Sequence, residues 1–152
     1  MRHSPRRFSL PSRERVRILL DTQVWLWMLG EPARLTAGGR ARLRSPANTF
    51  YLSAATIWEI IIKHAAGKLR LPGEPVAYLR GRLAETPAGI LPISHEHALQ
   101  LALLPLHHRD PFDRILIAQA QVEGLHLMTA DRQFKTYLVD LVPPDRIAGL
   151  AG

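Results

Sequence analysis

The sequence predicts an α/β domain built on a mostly parallel sheet with helices on both faces, and three observations carry that prediction. Short apolar runs without alternation, such as Arg17-Ile18-Leu19-Leu20, end abruptly at polar residues, the pattern of strands buried on both faces. Helix signals with capping and breaking residues fall between those runs. The composition, 47% apolar and 22% charged over 152 residues, is that of one ordinary globular domain.

Residues 17–20 form the first predicted strand, bounded by Asp21 and Thr22. Two helices follow over 23–29 and 35–43, separated by the breaker Gly30-Glu31-Pro32. Phe50-Tyr51-Leu52 reads as the second strand. Ser53 stands at the N-cap of a helix over 54–66 that ends at Gly67. That helix is apolar almost all round, which predicts packing on nearly every side. Leu79 and Leu83 place a helix over 75–85, between Pro72 and Pro87. Residues 90–93 make a weak strand that Pro92 confines to an edge or a strand end. Ser94 caps a helix to Leu103, and Asp110 with Pro111 opens another to Glu123, stopped by Gly124. A fourth strand over 125–129, a short helix over 131–137 and a fifth strand over 138–142 complete the pattern. The resulting division is a basic N-terminal arm, 1–15, one α/β domain, 16–142, and a short tail, 143–152.

The net charge is +7, from 20 Lys and Arg against 13 Asp and Glu, a sign that suits an anionic partner such as nucleic acid. Six arginines and one glutamate fall within residues 1–17, so +5 sits there and +2 on the rest. The arm offers non-specific phosphate attraction, and the body is nearly balanced. The absence of cysteine excludes thiolate zinc sites, Fe–S clusters and thiol nucleophiles, and fits a reducing compartment. Arg6-Arg7-Phe8-Ser9-Leu10 has the look of a twin-arginine export signal, but polar residues follow where an apolar stretch is required. The longest apolar run, 24–29, is far shorter than a membrane span. A cytoplasmic protein without a membrane segment is expected.

The informative residues are acidic. In parallel α/β sheets, sites form beyond the carboxyl ends of the strands, and Asp21 and Asp131 both lie just past a predicted strand. Glu59 stands among Ile57, Trp58, Ile60, Ile61 and Ile62. An i,i+4 pair with Lys63 would contribute about 0.2–0.5 kcal/mol, small beside the several kcal/mol that burying an ion costs, so Glu59 reads as a cleft-facing ligand. Asp110 explains a helix start better than Asp113, which stands open to either a structural or a site role. Converging in one pocket, Asp21, Glu59, Asp113 and Asp131 would repel one another and some would have to take up protons, unless a divalent cation offset their charge. Oxygen-only ligands suit Mg²⁺ or Mn²⁺, and such an ion points to phosphodiester hydrolysis of nucleic acid.

Four segments in order carry a family resemblance: Leu19-Leu20-Asp21-Thr22; Ser53-Ala54-Ala55-Thr56-Ile57-Trp58-Glu59-Ile60 with Lys63 and Gly67-Lys68-Leu69; 110–120 from Asp110-Pro111-Phe112-Asp113; and Met128-Thr129-Ala130-Asp131. Together, over about residues 17–142, they resemble the PIN-domain toxins called VapC. The resemblance implies a PIN fold and an Mg²⁺- or Mn²⁺-dependent endoribonuclease that cuts structured RNA such as tRNA or rRNA. It also implies homodimers and neutralisation by a VapB-type antitoxin. Carried over position by position, Asp21, Glu59, Asp113 and Asp131 are the catalytic and metal-binding acids, Asp110 is a possible fifth, and the Thr129 hydroxyl helps hold the site. Gln23 departs from relatives that have His after Asp-Thr, which removes a titratable group but no metal-binding acid.

Other signals are weaker. His95 with His97, and His107 with His108, lack the i,i+4 spacing of a helical zinc grip and read as surface or RNA-contacting residues. Trp25, Trp27 and Trp58 read as core at their apolar helical spacings. Arg109 and Arg114 suit either phosphate or a solvated helix end, and Lys63 either steers substrate or pairs with Glu59. A dehalogenase-type phosphatase would need an Asp where Gln23 stands, and a receiver domain a late-strand lysine rather than mid-helix Lys63. A catalytically silent binding domain of the same fold is the standing alternative.

Overall fold

The computed structural model describes residues 16–106, 110–131 and 141–142. The predicted arm, nearly all of the predicted helix over 131–137, residues 138–140, His107, His108, Arg109 and the tail lie outside the described residues.

The element order is β1 (Val16–Leu20), α1 (Thr22–Gly30), α2 (Ala37–Arg44), β2 (Asn48–Ser53), α3 (Ala54–Ala65), α4 (Pro75–Glu85), β3 (Ala88–Leu91), α5 (His95–Gln100), α6 (Pro111–Glu123), β4 (His126–Met128) and β5 (Leu141–Val142). The described strands form one five-stranded sheet in the order β3-β2-β1-β4-β5, with every neighbouring pair parallel. The chain works outward from β1 to β3, then returns to the other side of β1 for β4. Such a reversal leaves a crevice at the carboxyl ends of the two strands that flank it, here β1 and β4. Ile18 pairs with both Phe50 and His126, which makes β1 the central strand.

Alternate residues of β1 feed two cores, as expected for a strand covered on both faces. Ile18 and Leu20 pack with Val24, Trp25 and Ile60, whereas Leu19 packs with Ile117 and Leu127. The sequence-predicted caps are present. Ser53 Oγ accepts the Ala55 N–H at 3.0 Å, and Asp110 Oδ1 accepts those of Phe112 and Asp113 at 2.9 and 3.3 Å. Gly124, at φ 66°, closes α6 in the left-handed conformation that glycine adopts without strain.

Several expectations need correction. The strand placed at 90–93 begins at Ala88 and ends before Pro92, so the residue without an N–H falls outside the ladder; the edge position is as predicted. The helix expected to reach Leu103 is regular only to Gln100 and finishes as a 3-10 turn, Leu101–Leu103. His97 is no surface residue: it is 1% exposed and closes a reciprocal cap with Ser94. Helix α3 is not packed all round, since Trp58 is 55% and Ile62 46% exposed. Apolar composition allowed that face to be covered, but no described layer lies over it. Arg114 donates to the carbonyls of Pro105 and Leu101 at 2.9 and 3.3 Å, a role in the fold.

Candidate active site

Asp21 leaves β1 as the residue before α1, and its backbone N–H bonds to Met128 O at 3.0 Å, so the ends of β1 and β4 are tied where the crevice opens. Its Oδ2 accepts the Thr129 hydroxyl at 2.7 Å, while Thr129 Oγ1 accepts the Asp131 N–H at 3.0 Å. One hydroxyl therefore positions both acids that follow strands. The neighbouring Thr22 hydroxyl meets that of Thr56 at 2.9 Å, which docks the start of α1 on α3 and brings Glu59, one turn further on, to the same place.

Asp21, Glu59, Asp113 and Asp131 all line a single cleft of about 480 Å³, with Asp110 and Lys63 on its wall. Thr129 is buried behind it. Every acid predicted from the sequence is thus brought to one place. The two readings of Lys63 are not exclusive: its ammonium pairs with Glu59 Oε2, and it faces the cleft. Glu59 is only 4% exposed, and its Oε1 is buried with no hydrogen-bond partner. An unsatisfied carboxylate oxygen is expensive to bury, and it belongs where an external group completes it.

The electrostatics agree. Burial pushes the Asp21 carboxyl up to about 6, with Glu59 and Asp131 raising it further against the lowering pull of the Thr129 hydrogen bond. Burial, then the charges of Asp21, Asp110, Glu59 and Asp131, push Asp113 up to about 8. Partial burial lowers Lys63, but Glu59, Asp110 and Asp113 outweigh it and hold the ammonium more firmly protonated than usual. Such crowding suits an all-oxygen site for a hard divalent cation. Among the described residues, however, no three acids or histidines are already arranged around one point to hold a metal ion.

Trp27 and Lys68 are cleft residues that the sequence reading does not place there. Gln23 and Trp27 line it from α1, and Lys68 from the turn after α3. Trp27, expected in the core, is half-buried and divides its surface between core and cleft. The i,i+4 spacing of Gln23 and Trp27, counted from an acid at a strand end, was the available signal.

An α/β domain with an acid-lined cleft at the carboxyl edge of a parallel sheet is a fold-and-site class in its own right, and the comparisons say which. The PIN domain matches residues 18–137; the chain belongs to the PIN-domain family. No curated protein matches it in sequence. Among solved structures it is similar to the DNA-bound VapBC of Salmonella typhimurium, with TM-score 0.66 and 17% identity over 85% of this chain and 98% of that one. It is similar to a toxin–antitoxin complex from Klebsiella pneumoniae, with TM-score 0.58 and 21% identity over 86% and 99%. It is also similar to FitAcB of Neisseria gonorrhoeae, with TM-score 0.58 and 27% identity over 84% and 97%. The resemblance read from the sequence is upheld in family and fold. No helix among the described residues is long and apolar enough to cross a membrane.

Proposed function

We propose that this chain is a metal-dependent endoribonuclease, the toxin of a toxin–antitoxin pair, which cuts structured RNA such as tRNA or rRNA. The observation that carries the reading is the buried, unpartnered Glu59 Oε1 in a cleft shared with three aspartates at the carboxyl edge of the sheet. Asp21, Glu59 and Asp113 would hold Mg²⁺ or Mn²⁺, with Asp131 completing the acidic pocket. Bound there, the cation supplies a Lewis acid that activates water and offsets phosphodiester charge. Thr129 keeps Asp21 aimed at the cleft, and Lys63 offsets the charge of Glu59. Water attacks phosphorus in line and the 3′ oxygen leaves with a proton, giving 5′-phosphate and 3′-hydroxyl ends. Asp110 is occupied by its helix cap and stands as an accessory acid.

The VapBC relatives in the comparison are complexes, which supports a VapB-type antitoxin as this chain's partner. A cytoplasmic homodimer completes the proposal. The experiment is induced expression with mapping of RNA ends, wild type against Asp21→Ala, alongside cleavage by purified protein as Mn²⁺ is titrated. Growth arrest with discrete new 5′-phosphate ends, absent from the variant, is the expected result. A folded wild type that Mn²⁺ neither stabilises nor activates would favour the silent binding domain.

A further inference from the structure

Two tryptophans two residues apart on α1 serve different ends. Trp25 is fully buried, and its indole N–H donates to Thr86 Oγ1 at 3.0 Å. Trp27 lines the acidic cleft, and its indole N–H has no partner among the described residues. The Arg34 guanidinium lies over its ring, 5.7 Å from the centroid, which holds the indole against the end of α1. Gln23 and Trp27, at i and i+4, share the face of α1 that borders the carboxylates.

Lys68 faces the same cleft from the turn that ends α3. Its backbone N–H bonds to Lys63 O at 2.9 Å, that of Gly67 to His64 O at 3.0 Å, and Gly67 adopts φ 74°. This is the 6→1 and 5→2 closure that fixes a helix end, so the position of Lys68 is set by the backbone. Lys63 is tied to Glu59, whereas Lys68 makes no ion pair among the described residues. The cleft is therefore lined by carboxylates, which repel phosphate, and also by an aromatic ring, an amide and an ammonium that makes no ion pair among the described residues.

We infer that Trp27, Gln23 and Lys68 form a nucleotide-binding subsite beside the carboxylates, where one unpaired RNA nucleotide stacks its base on Trp27 and sets its phosphate against Lys68. Gln23 meets the edge of that base. The inference rests on the endoribonuclease reading and adds which part of the RNA is held: a base inside a duplex has no free face to offer, so the bound segment is a loop, bulge or end.

The test measures binding separately from cleavage. A mixed pool of fluorescein-labelled single-stranded ribonucleotide octamers is titrated by anisotropy into wild type, Trp27→Ala, Trp27→Phe and Lys68→Gln. Trp27→Ala is expected to weaken binding about tenfold or more, with Trp27→Phe retaining most of it. Lys68→Gln should weaken binding and flatten its salt dependence. With a cleaved RNA, the Trp27 and Lys68 variants should raise KM and leave kcat within about twofold, since neither touches the reacting phosphorus. Thermal melts confirm that each variant is folded, and Lys68→Gln, an exposed change, keeps the test intact should Trp27→Ala unfold. Unchanged binding in folded Trp27→Ala and Lys68→Gln, while wild type cleaves RNA, overturns the subsite and leaves the nuclease reading intact. Loss of antitoxin binding with RNA binding unchanged also overturns it, by assigning these residues to a protein partner. A wild type that binds no RNA and cleaves none defeats the nuclease reading itself.

Discussion

Two buried polar clusters of this domain are built on opposite plans. Between α5 and α6, the His97 ring accepts the Ser94 N–H at 3.0 Å and meets the Glu123 carboxylate at 2.7 Å, while Ser94 Oγ accepts the His97 N–H at 3.2 Å. Gln119 joins by donating to Pro92 O at 3.2 Å, and one neutral amide oxygen, Gln119 Oε1, is left over. At the carboxyl edge of the sheet, the atom left over belongs to a carboxylate, Glu59 Oε1, and its neighbours are more carboxylates. The first cluster closes on itself and holds two helices together. The second stays unbalanced within the chain, so its charge is offset by proton uptake at the carboxyls or by a group from outside.

The comparison predicts opposite responses to substitution. The largest effect should come from Glu59→Gln or Asp21→Asn, which keep shape and remove charge: RNA cleavage falls on the order of 10³-fold or more, several kcal/mol of transition-state stabilisation. The metal-free melting temperature holds or rises, because repulsion is relieved. Cleavage that survives in either variant, measured against a mock purification, would break the contrast from the functional side.

His97→Ala should do the reverse. Losing a buried ring and stranding its partners costs about 2–4 kcal/mol, roughly 5–15 °C in a domain of this size. Cleavage per folded molecule stays within about twofold. A stable His97→Ala protein would show that the α5–α6 cluster is less structural than its hydrogen bonds imply.

Acidity sharpens the same contrast. The carboxyls of Asp21 and Asp113 titrate near 6 and 8 in the fold, above the ordinary value of 3.8. The folded state therefore holds protons that the unfolded chain releases, and metal-free stability should fall as pH rises from about 4 through 8. A melting temperature on the order of 5 °C lower at pH 8 than at pH 5 is expected, with Mn²⁺ stabilising more at the higher pH. Asp113→Asn should flatten that slope; a slope unchanged in this variant would mean that other groups carry it. The smallest effect belongs to the exposed face of α3. Trp58→Ser removes an edge-to-face contact with Phe112, at 5.1 Å between centroids, and should cost about 1 kcal/mol or less by melting.

Much of the site could be read before the fold was seen. A carboxylate inside the apolar run around Glu59 is conspicuous because its burial is costly, and Asp21 and Asp131 are conspicuous because they follow strands. Asp113 was ambiguous for a sound reason: three residues after an N-cap, the same side chain can serve the helix or the cleft. The structure gives the capping hydrogen bonds to Asp110, and Asp113 lines the cleft. Lys68 and Trp27 are harder, since nothing in their neighbours along the chain distinguishes a cleft lining from a core or a solvated turn.

By itself, the sequence determined the element order, the caps at Ser53, Ser94 and Asp110, the glycine stops at Gly67 and Gly124, and the identity of the acids. These depend on hydrogen bonds and backbone preferences that act within a few residues. Only the tertiary structure decided that Trp25 is core while Trp27 faces the cleft, that Trp58 is uncovered, that His97 is buried, and that Glu59 both pairs with Lys63 and keeps one oxygen unmet. Burial depends on which distant segment packs over a residue, and no local pattern carries that information.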